Sequence, residues 1–277
     1  MRVAALIFLT ANNCLHPLRA DPEEGPVFEA RTKYSHILVQ DRGSVRTLYF
    51  VRDSGEMVVE SAVDLDRPHM LQTPYTKTMF ASYLFRPKQN RSLIAGLGGG
   101  SMLHFLNRFF PENRLDVIEI DPVIVNTAKR FFMVKSGGQN NIIIGDAFKF
   151  IDRAPELYDV IYLDAYLKPD EKTDDTGFPL RMKTILFYKK LQSRLKTNGA
   201  VVFNLNVHGW TESDIATIKK TFPQAYVFTV PRRGNIIVVG SMVKKRLSRR
   251  ELIQRGTELD RRIKGGFSFK KMVKHMR

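Results

Sequence analysis

The sequence contains little that could cross-link the chain, bind a metal or cross a membrane. Its 277 residues include one cysteine, Cys14, so an internal disulfide is excluded. It has no C-x-x-C pair and no histidine cluster, so we expect no metal site. The apolar runs all fall short of the roughly 20 residues that a membrane-spanning helix needs, and we therefore predict no membrane span.

The N-terminal segment has two interpretations. Met1 and Arg2 precede the apolar run VAALIFLTA, and a polar stretch follows it before Asp21. This order is typical of a secretory signal with a short apolar centre, whereas a buried strand or helix is the alternative. Residues 1–25 are therefore assigned as a possible signal or disordered segment and are left out of the fold prediction.

Positive charge is in excess, but it is concentrated near the C-terminus. The formal net charge is +16, and residues 244–277, with 13 lysines and arginines against 3 acids, contribute +10 of it. This basic tail lacks the interleaved aromatic residues that stack on bases. The sequence therefore argues against nucleic acid as a partner, although the charge leaves RNA or an acidic surface open.

The basic tail itself predicts a helix that docks on the domain. Ser248 and Glu251 have the spacing of a capping box, and Leu252, Leu259 and Ile263 fall on one side of a helix. Because its apolar positions are few and the predicted sheet ends before it, we expect a helical appendage without which the chain still folds.

Residues 26–72 predict a small β-region. The runs SHILVQ, RTLYFV and MVVESAV are separated by short turns that contain glycine, with no helix between them. They should therefore form an antiparallel sheet. The following segment, residues 73–85, predicts a helix that ends before Pro87.

From residue 92 onwards, apolar runs alternate with helical periodicity. The predicted strands are residues 92–98, 114–120, 140–146, 158–164 and 199–206. The predicted helices between them are residues 101–110, 122–133, 147–153 and 182–196. Such alternation predicts a parallel, doubly wound α/β sheet.

The end of this domain separates two classes of nucleotide-binding fold. After a predicted helix at 211–221, the runs AYVFTVP and NIIVVGS are joined by a turn too short for a crossover, so they must form an antiparallel hairpin. A Rossmann-type dehydrogenase would continue with further strand–helix units. The resulting seven strands are typical of the Rossmann-like fold of S-adenosylmethionine-dependent methyltransferases, which we predict for residues 73–243.

Residues at two neighbouring strand ends predict a nucleotide-like ligand. The first predicted strand ends in a turn that contains Gly96, Gly98 and Gly100, and the second ends in Glu119. Glycines at a strand–helix turn let the backbone approach a ligand, and an acid at the end of the next strand suits ribose hydroxyls. A tight turn without a ligand is the alternative.

The next two strand ends carry further candidates. Asp146, followed by Ala147, could accept a hydrogen bond from an adenine amino group, cap the following helix, or do both. Asp164, followed two residues later by Tyr166, lies where an acceptor molecule would approach. A carboxylate there could orient an amine and take its proton, although an ordinary strand-end acid is the alternative.

The loop KPDEKTDDTGFP, residues 168–179, follows this fourth strand. It carries four acids against two lysines. It could be an acidic lid that recruits a cationic acceptor, or simply a solvated loop.

Several motifs occur in the order found in spermidine synthases and their bacterial spermidine-synthase-like relatives. They are TKYSHILVQD, LYFV, ESAVDLDRPHMLQTPYTKTMF, IAGLGGGSM, VIEIDP, IIGDAFKFI and YDVIYLDAY. The chain therefore resembles that family over about residues 30–245. The resemblance implies decarboxylated S-adenosylmethionine or S-adenosylmethionine as co-substrate, no metal, and a small cationic amine as acceptor.

Residue by residue, the resemblance implies a donor site and a catalytic site. It assigns Gly96, Gly98 and Gly100 to the donor tail, Glu119 to the ribose, Asp146 and Ala147 to the adenine, and Asp164, with Tyr166, to catalysis.

The acceptor side departs from the family pattern. Aminopropyltransferases carry an Asp where this chain has Gly99, and a second acid after the fourth strand where it has Leu167, unless Asp170 replaces that acid. The family's Tyr-Gln and Tyr-His-Glu sequences in the N-terminal region also appear here as Tyr34-Ser35 and Tyr75-Thr76, so the polar residues after the tyrosines differ. Because a buried ammonium needs paired acceptors, we expect the donor site to be kept and the acceptor site to be altered.

Three functions are open on this basis. They are aminopropyl transfer to a polyamine, methyl transfer from S-adenosylmethionine to another acceptor, and nucleoside binding without catalysis. The supply of donor favours the cytoplasm, whereas a cleaved signal would mean export. A homodimer formed through the N-terminal region is also possible.

Overall fold

The computed structural model describes residues 25–231 and 234–277. The possible signal segment therefore lies outside the described residues, apart from Gly25. Among the described helices, none has the combination of length and apolar composition that crossing a bilayer requires.

The predicted β-region is a four-stranded antiparallel sheet within the described residues, called here the N-terminal sheet. Its strands, in spatial order, are β1 (Phe28–Arg31), β2 (His36–Arg42), β3 (Val45–Val51) and β4 (Met57–Asp64). The three predicted runs correspond to β2, β3 and β4. The sequence analysis missed β1, because four residues with alternating half-buried and exposed positions carry too weak a pattern.

The helix predicted over residues 73–85 is broken into α1 (Pro74–Met79) and α2 (Ser82–Phe85). Phe80 and Ala81 at the break are fully buried, as is most of α2. A single straight helix would turn one side of this apolar run towards solvent. The break allows residues on every side of the segment to pack into the core.

The second sheet, called here the main sheet, has seven strands in the part of the chain that the structure describes. In chain order they are β5 (Arg91–Ala95), β6 (Arg114–Glu119), β7 (Asn140–Ile144), β8 (Tyr158–Leu163), β9 (Leu195–Asn206), β10 (Gln224–Thr229) and β11 (Asn235–Ser241). Their spatial order is β10-β11-β9-β8-β5-β6-β7, with β11 antiparallel to both of its neighbours. The predicted doubly wound sheet and its final hairpin are confirmed.

Helices on both faces connect these strands. They are α3 (Ser101–Phe109), α4 (Pro122–Phe131), α5 (Ala147–Arg153), α6 (Ile185–Ser193) and α7 (Thr211–Thr221). The helix predicted at 182–196 is shorter: a 3₁₀ turn, Leu180–Lys183, precedes α6, whose first turn is capped by the Thr184 hydroxyl. Its last predicted residues instead begin the long strand β9.

The strand order reverses between β5 and β8, and this reversal determines where a ligand can bind. From β5 the chain proceeds outward through β6 and β7, and it then returns to place β8 on the other side of β5. The loops that follow β5 and β8 therefore diverge, and a cleft forms at the carboxyl ends of these strands.

The basic tail forms α8 (Arg249–Arg262) and α9 (Phe269–Met272) and is docked, as the amphipathic pattern predicted. The capping box is present: the Ser248 hydroxyl accepts from the Glu251 amide at 3.2 Å, and the Glu251 carboxylate accepts from the Ser248 amide at 2.7 Å. The Met276 segment also pairs with the outer side of the edge strand β10.

The tail shares the hydrophobic core of the domain, and that the chain folds without it stays a prediction. Leu252, Leu259 and Ile263 are buried in the same hydrophobic cluster as the residues of α1 and α2. The Arg255 guanidinium also donates to the carbonyl oxygen of Leu84 at 2.9 Å. The tail therefore completes the core, which the charge-rich sequence around its apolar positions had obscured.

We predict that Leu252→Ala destabilises the protein by about 2–5 kcal/mol, because it leaves a cavity in a fully buried contact. Gln254→Ala, on the exposed face of the same helix, should change stability by less than about 0.5 kcal/mol. Urea unfolding of both variants measures the difference. Equal stabilities would mean that the tail contributes nothing to the core.

Candidate functional site

A cleft lies at the carboxyl ends of β5, β6, β7 and β8, where the sequence analysis placed its candidates. Of these candidates, the cleft is lined by Gly96, Gly98, Glu119, Asp146, Ala147, Asp164 and Tyr166. Gly100 is not in the lining. It precedes α3 in a left-handed conformation, and a side chain there would collide with Val134, so this glycine serves the packing of the turn.

Gly96 makes the close approach of two strand ends possible. Its φ of +97° belongs to the left-handed region, and a Cβ at this position would overlap the carbonyl oxygen of Asp164. The Asp164 amide in turn donates to the Ala95 carbonyl at 2.9 Å. The glycine therefore brings the turn after β5 into contact with the candidate acid at the end of β8.

Glu119 ties the glycine turn to the end of β6. One carboxylate oxygen accepts from the Leu97 amide and the other from the Asp121 amide, each at 2.9 Å. Burial raises the pKa of Glu119, although these backbone donors oppose the shift. The carboxylate is thus held rigidly in the cleft, and each oxygen retains a lone pair for a further donor.

Asp146 has one of the two roles that the sequence allowed, because it caps α5. Its Oδ1 accepts from the Phe148 amide at 3.0 Å, while its Oδ2 accepts from the Arg181 guanidinium at 2.8 Å. Arg181 also lies over the Phe148 ring, 4.9 Å from its centroid. The sequence analysis missed Arg181, since no motif marks it and it lies just before the helix predicted at 182–196, in a 3₁₀ turn that the pattern did not reveal.

Asp164 lies in the cleft lining, and its Oδ1 accepts a hydrogen bond from the Asn204 side-chain amide at 2.7 Å. Burial raises the pKa of Asp164 to about 6, against the lowering effect of donors on Asn204 and Tyr75. Asn204 is oriented in turn by the Asn235 amide, which donates to it at 3.0 Å. The carboxyl group can therefore gain or lose a proton near neutral pH.

Tyr166 lines the cleft with its ring, but its hydroxyl is already engaged. The hydroxyl donates to the Asn204 carbonyl at 2.7 Å and accepts from the Asn206 amide at 3.0 Å. These bonds fasten the loop after β8 to β9. The contribution of Tyr166 in this arrangement is to shape and hold the site.

A cavity of about 380 Å³ adjoins the cleft and contains a carboxylate that the sequence analysis missed. Glu60, on β4, lines both spaces together with Tyr75 and Asp164. Burial raises the pKa of Glu60 to about 8, and the negative charges of Asp164 and Glu119 add to the shift. The only sequence signal was an acid inside an apolar strand, where acids are infrequent.

The acids of the loop after β8 do not supply this second carboxylate. Asp170 is exposed and accepts from the Lys172 amide, and it is absent from the linings of the cleft and the cavity in the described structure. Asp174 lies away from both spaces and pairs with Lys183 at 2.5 Å. Although burial alone would raise it, the pKa of Asp174 lies below its usual range because of that lysine. Glu60, from the N-terminal sheet, is instead the carboxylate that lines both spaces together with Asp164.

Asp174, His208 and Asp214 come close enough together to hold a metal ion, a grouping that the sequence did not indicate. The Lys183 ammonium already lies among them, at 2.6 Å from Asp214 and 3.0 Å from the His208 ring nitrogen. A lysine in this position satisfies the carboxylates. The cluster serves to join the loop after β8 to the segment between β9 and α7.

Gly99 occupies the position where aminopropyltransferases carry an acid, and it packs closely against two side chains. A Cβ there would lie 2.9 Å from the Ser61 hydroxyl and 3.0 Å from the Phe132 ring. A side chain at this position would therefore require Ser61 or Phe132 to shift.

Comparison with known proteins agrees with this geometry. Residues 73–250 match the model of the spermine/spermidine synthase domain. The chain belongs to the spermine/spermidine synthase family. It is accordingly an enzyme of the transferase class, as predicted.

The individual relatives include both aminopropyltransferases and methyltransferases. The chain is 29% identical to a polyamine aminopropyltransferase of Vibrio vulnificus, over 84% of this chain and 77% of that protein. Human methyltransferase-like protein 13, solved in complex with SAH, is 26% identical, with a TM-score of 0.63 over 69% of this chain and 92% of that one. A probable spermidine synthase from Corynebacterium glutamicum shares the fold, with a TM-score of 0.68, 20% identity, and coverage of 85% and 88%.

The raised pKa of Glu60 predicts that the free energy of unfolding decreases at alkaline pH. A carboxyl whose pKa is higher in the folded state stabilises the fold fully below its unfolded pKa, and this contribution is lost as the pH rises through about 8. Glu60→Gln, which mimics the protonated form, should therefore be more stable than the parent at pH 9 by about 1–3 kcal/mol, and similar to it at pH 4.

Thermal or urea unfolding at the two pH values measures this effect. The matched control is Glu56→Gln, which changes an exposed acid at the other side of the same cavity and should show little pH-dependent difference. If Glu60→Gln were less stable than the parent at pH 9, the assignment of a buried carboxyl with a raised pKa to Glu60 would be wrong.

Proposed function

We propose that this transferase moves an alkyl group from an adenosyl sulfonium donor to an amine. The first candidate reaction is aminopropyl transfer from decarboxylated S-adenosylmethionine to a polyamine. The observation that carries the proposal is the junction of the cleft and the cavity, where the carboxylates of Asp164 and Glu60 face a common space.

The cleft supplies groups suited to an adenosyl ligand. Glu119, held by two backbone amides, would accept hydrogen bonds from the ribose hydroxyls with its free lone pairs. Asp146 and Ala147 would meet the adenine, and Gly96 and Gly98 would let the donor tail pass close to the backbone. The sulfonium carbon would then lie towards Asp164.

The adjoining cavity suits a cationic acceptor. Glu60 and Asp164 are drawn towards protonation because both are buried, and an ammonium group bound between them would relieve that cost. The amide side chains of Asn204, Asn206 and Asn235 form a polar wall for the rest of an amine. The volume of about 380 Å³ is in the range of small-molecule sites.

The transfer step follows from this arrangement. The neutral amine nitrogen attacks the carbon bound to the sulfonium, a new C–N bond forms, and the C–S bond breaks with its electron pair going to sulfur. The sulfur leaves as a neutral thioether, and the extra proton on nitrogen passes to the Asp164 carboxylate. Asn204 keeps that carboxylate aimed at the amine.

Methyl transfer from S-adenosylmethionine is the second candidate, and Gly99 favours it. The family pattern holds an acid at this position in aminopropyltransferases, and here Ser61 and Phe132 occupy the space that its side chain would need. Without that acid, the site loses a partner for the amino group of the transferred aminopropyl chain. The human methyltransferase-like protein 13 solved in complex with SAH is consistent with this alternative.

The products distinguish the two reactions. The purified protein should be incubated with each donor and a set of diamines and polyamines, and the nucleoside product identified by mass spectrometry. Aminopropyl transfer releases 5′-methylthioadenosine, whereas methyl transfer releases S-adenosylhomocysteine. Binding of both donors without either product would contradict a transferase function at this site.

We predict that Asp164→Asn lowers turnover by about 10²–10⁴-fold while donor affinity changes by only a few-fold, because the proton acceptor is lost and the donor contacts are kept. In the parent, the rate should rise with pH through about 6, since only the ionised carboxylate can accept the proton.

The control is Asp170→Asn, which alters an exposed acid on the same loop and should leave the rate unchanged. Steady-state rates and donor titration calorimetry give the two quantities. Equal losses of donor affinity and turnover in Asp164→Asn would assign the residue to binding instead of proton transfer.

A further inference from the structure

We propose that Arg181 gates the nucleoside end of the cleft. Its guanidinium holds Asp146, and this ion pair must break before a nucleoside can use the Asp146 carboxylate. The inference rests on the proposed function, because it takes the ligand to be a nucleoside whose base meets Asp146.

Both oxygens of Asp146 are engaged. Oδ1 accepts from the Phe148 amide as the cap of α5, and that bond is part of the helix. Oδ2 accepts from the Arg181 guanidinium at 2.8 Å. An amino group of a base that is to donate to Oδ2 therefore competes with the arginine.

The free volume of the cleft is small in this arrangement. It is about 70 Å³, whereas sites for small molecules usually measure about 300 Å³ or more. Arg181 belongs to its lining, and most of the other lining residues are buried or are backbone segments of the turns. Outward rotation of the Arg181 side chain at the rim would therefore enlarge the space for a ligand.

The side chain moves more easily than the turn that carries it. Arg181 is 47% exposed, whereas Lys183, two residues later in the same turn, is 11% exposed and is held by Asp174 and Asp214. Met182 between them is buried in the core. The turn is thus anchored, and rotation of the Arg181 side chain away from Asp146 opens the cleft.

The strength of the gate follows from the partial exposure of the ion pair, whose arginine side chain is 47% exposed and whose aspartate side chain is 18% exposed. Pairs that reach solvent in this way contribute little and weaken as salt screens them. A neutral nucleoside, 5′-methylthioadenosine, should therefore bind the parent about two- to fivefold more weakly than it binds a protein that lacks the arginine charge. In the parent, its affinity should rise with salt.

The test compares Arg181→Met, which keeps the apolar stem, with the control Lys190→Met. Lys190 also lies over the Phe148 ring, at 5.2 Å from its centroid, but it pairs with Asp152 and not with Asp146. Calorimetric titration with 5′-methylthioadenosine is carried out at about 0.02 M and about 0.5 M sodium chloride, where screening differs strongly.

We expect Arg181→Met to bind about two- to fivefold more tightly at low salt and to lose the salt dependence, and Lys190→Met to behave as the parent. Weaker binding by Arg181→Met would overturn the proposal and make the arginine a ligand contact. Unchanged affinity and unchanged salt dependence would also overturn it. If neither the parent nor Arg181→Met binds the nucleoside, the proposed function itself fails; binding by the variant alone supports the gate.

Discussion

The site depends on the close approach of two backbone segments at the carboxyl ends of β5 and β8. Gly96 permits this approach because it has no Cβ to meet the Asp164 carbonyl. Glu119 then holds the turn through the Leu97 amide. Every other feature of the cleft, including the position of the Asp164 carboxylate above this contact, follows from that approach. A larger residue at 96 would separate the cleft from the proposed proton acceptor.

Burial of several carboxylates in one region raises the pKa of two of them and costs stability. Asp164 and Glu60 have raised pKa values mainly because they are shielded from water, and their mutual repulsion adds to the shift at Glu60. Such groups favour the binding of a cation or a proton. Rigid amide donors around Asp164 and Glu119 keep the carboxylates oriented while their charge remains partly uncompensated.

The supporting structure comes from parts of the chain that are far apart in sequence. The N-terminal sheet contributes Glu60, and the cluster around Lys183 fixes the turn that carries Arg181. The basic tail packs against α2, where the Arg255 guanidinium donates to the Leu84 carbonyl, and it pairs with the edge strand β10 of the main sheet. The cleft is therefore supported from several parts of the chain, with the partly exposed Arg181–Asp146 ion pair in its lining.

The sequence by itself determined the alternation of strands and helices, the final hairpin, and a set of eight strand-end candidates of which seven line the cleft. It could do so because these features depend on local periodicity and on residues at strand ends. It could not find Glu60 or Arg181, since their roles arise from contacts between segments about 100 and 35 residues apart in the chain. Tertiary packing also decided the burial of the tail, and hence its part in the core, because local charge density masks a few well-placed apolar side chains.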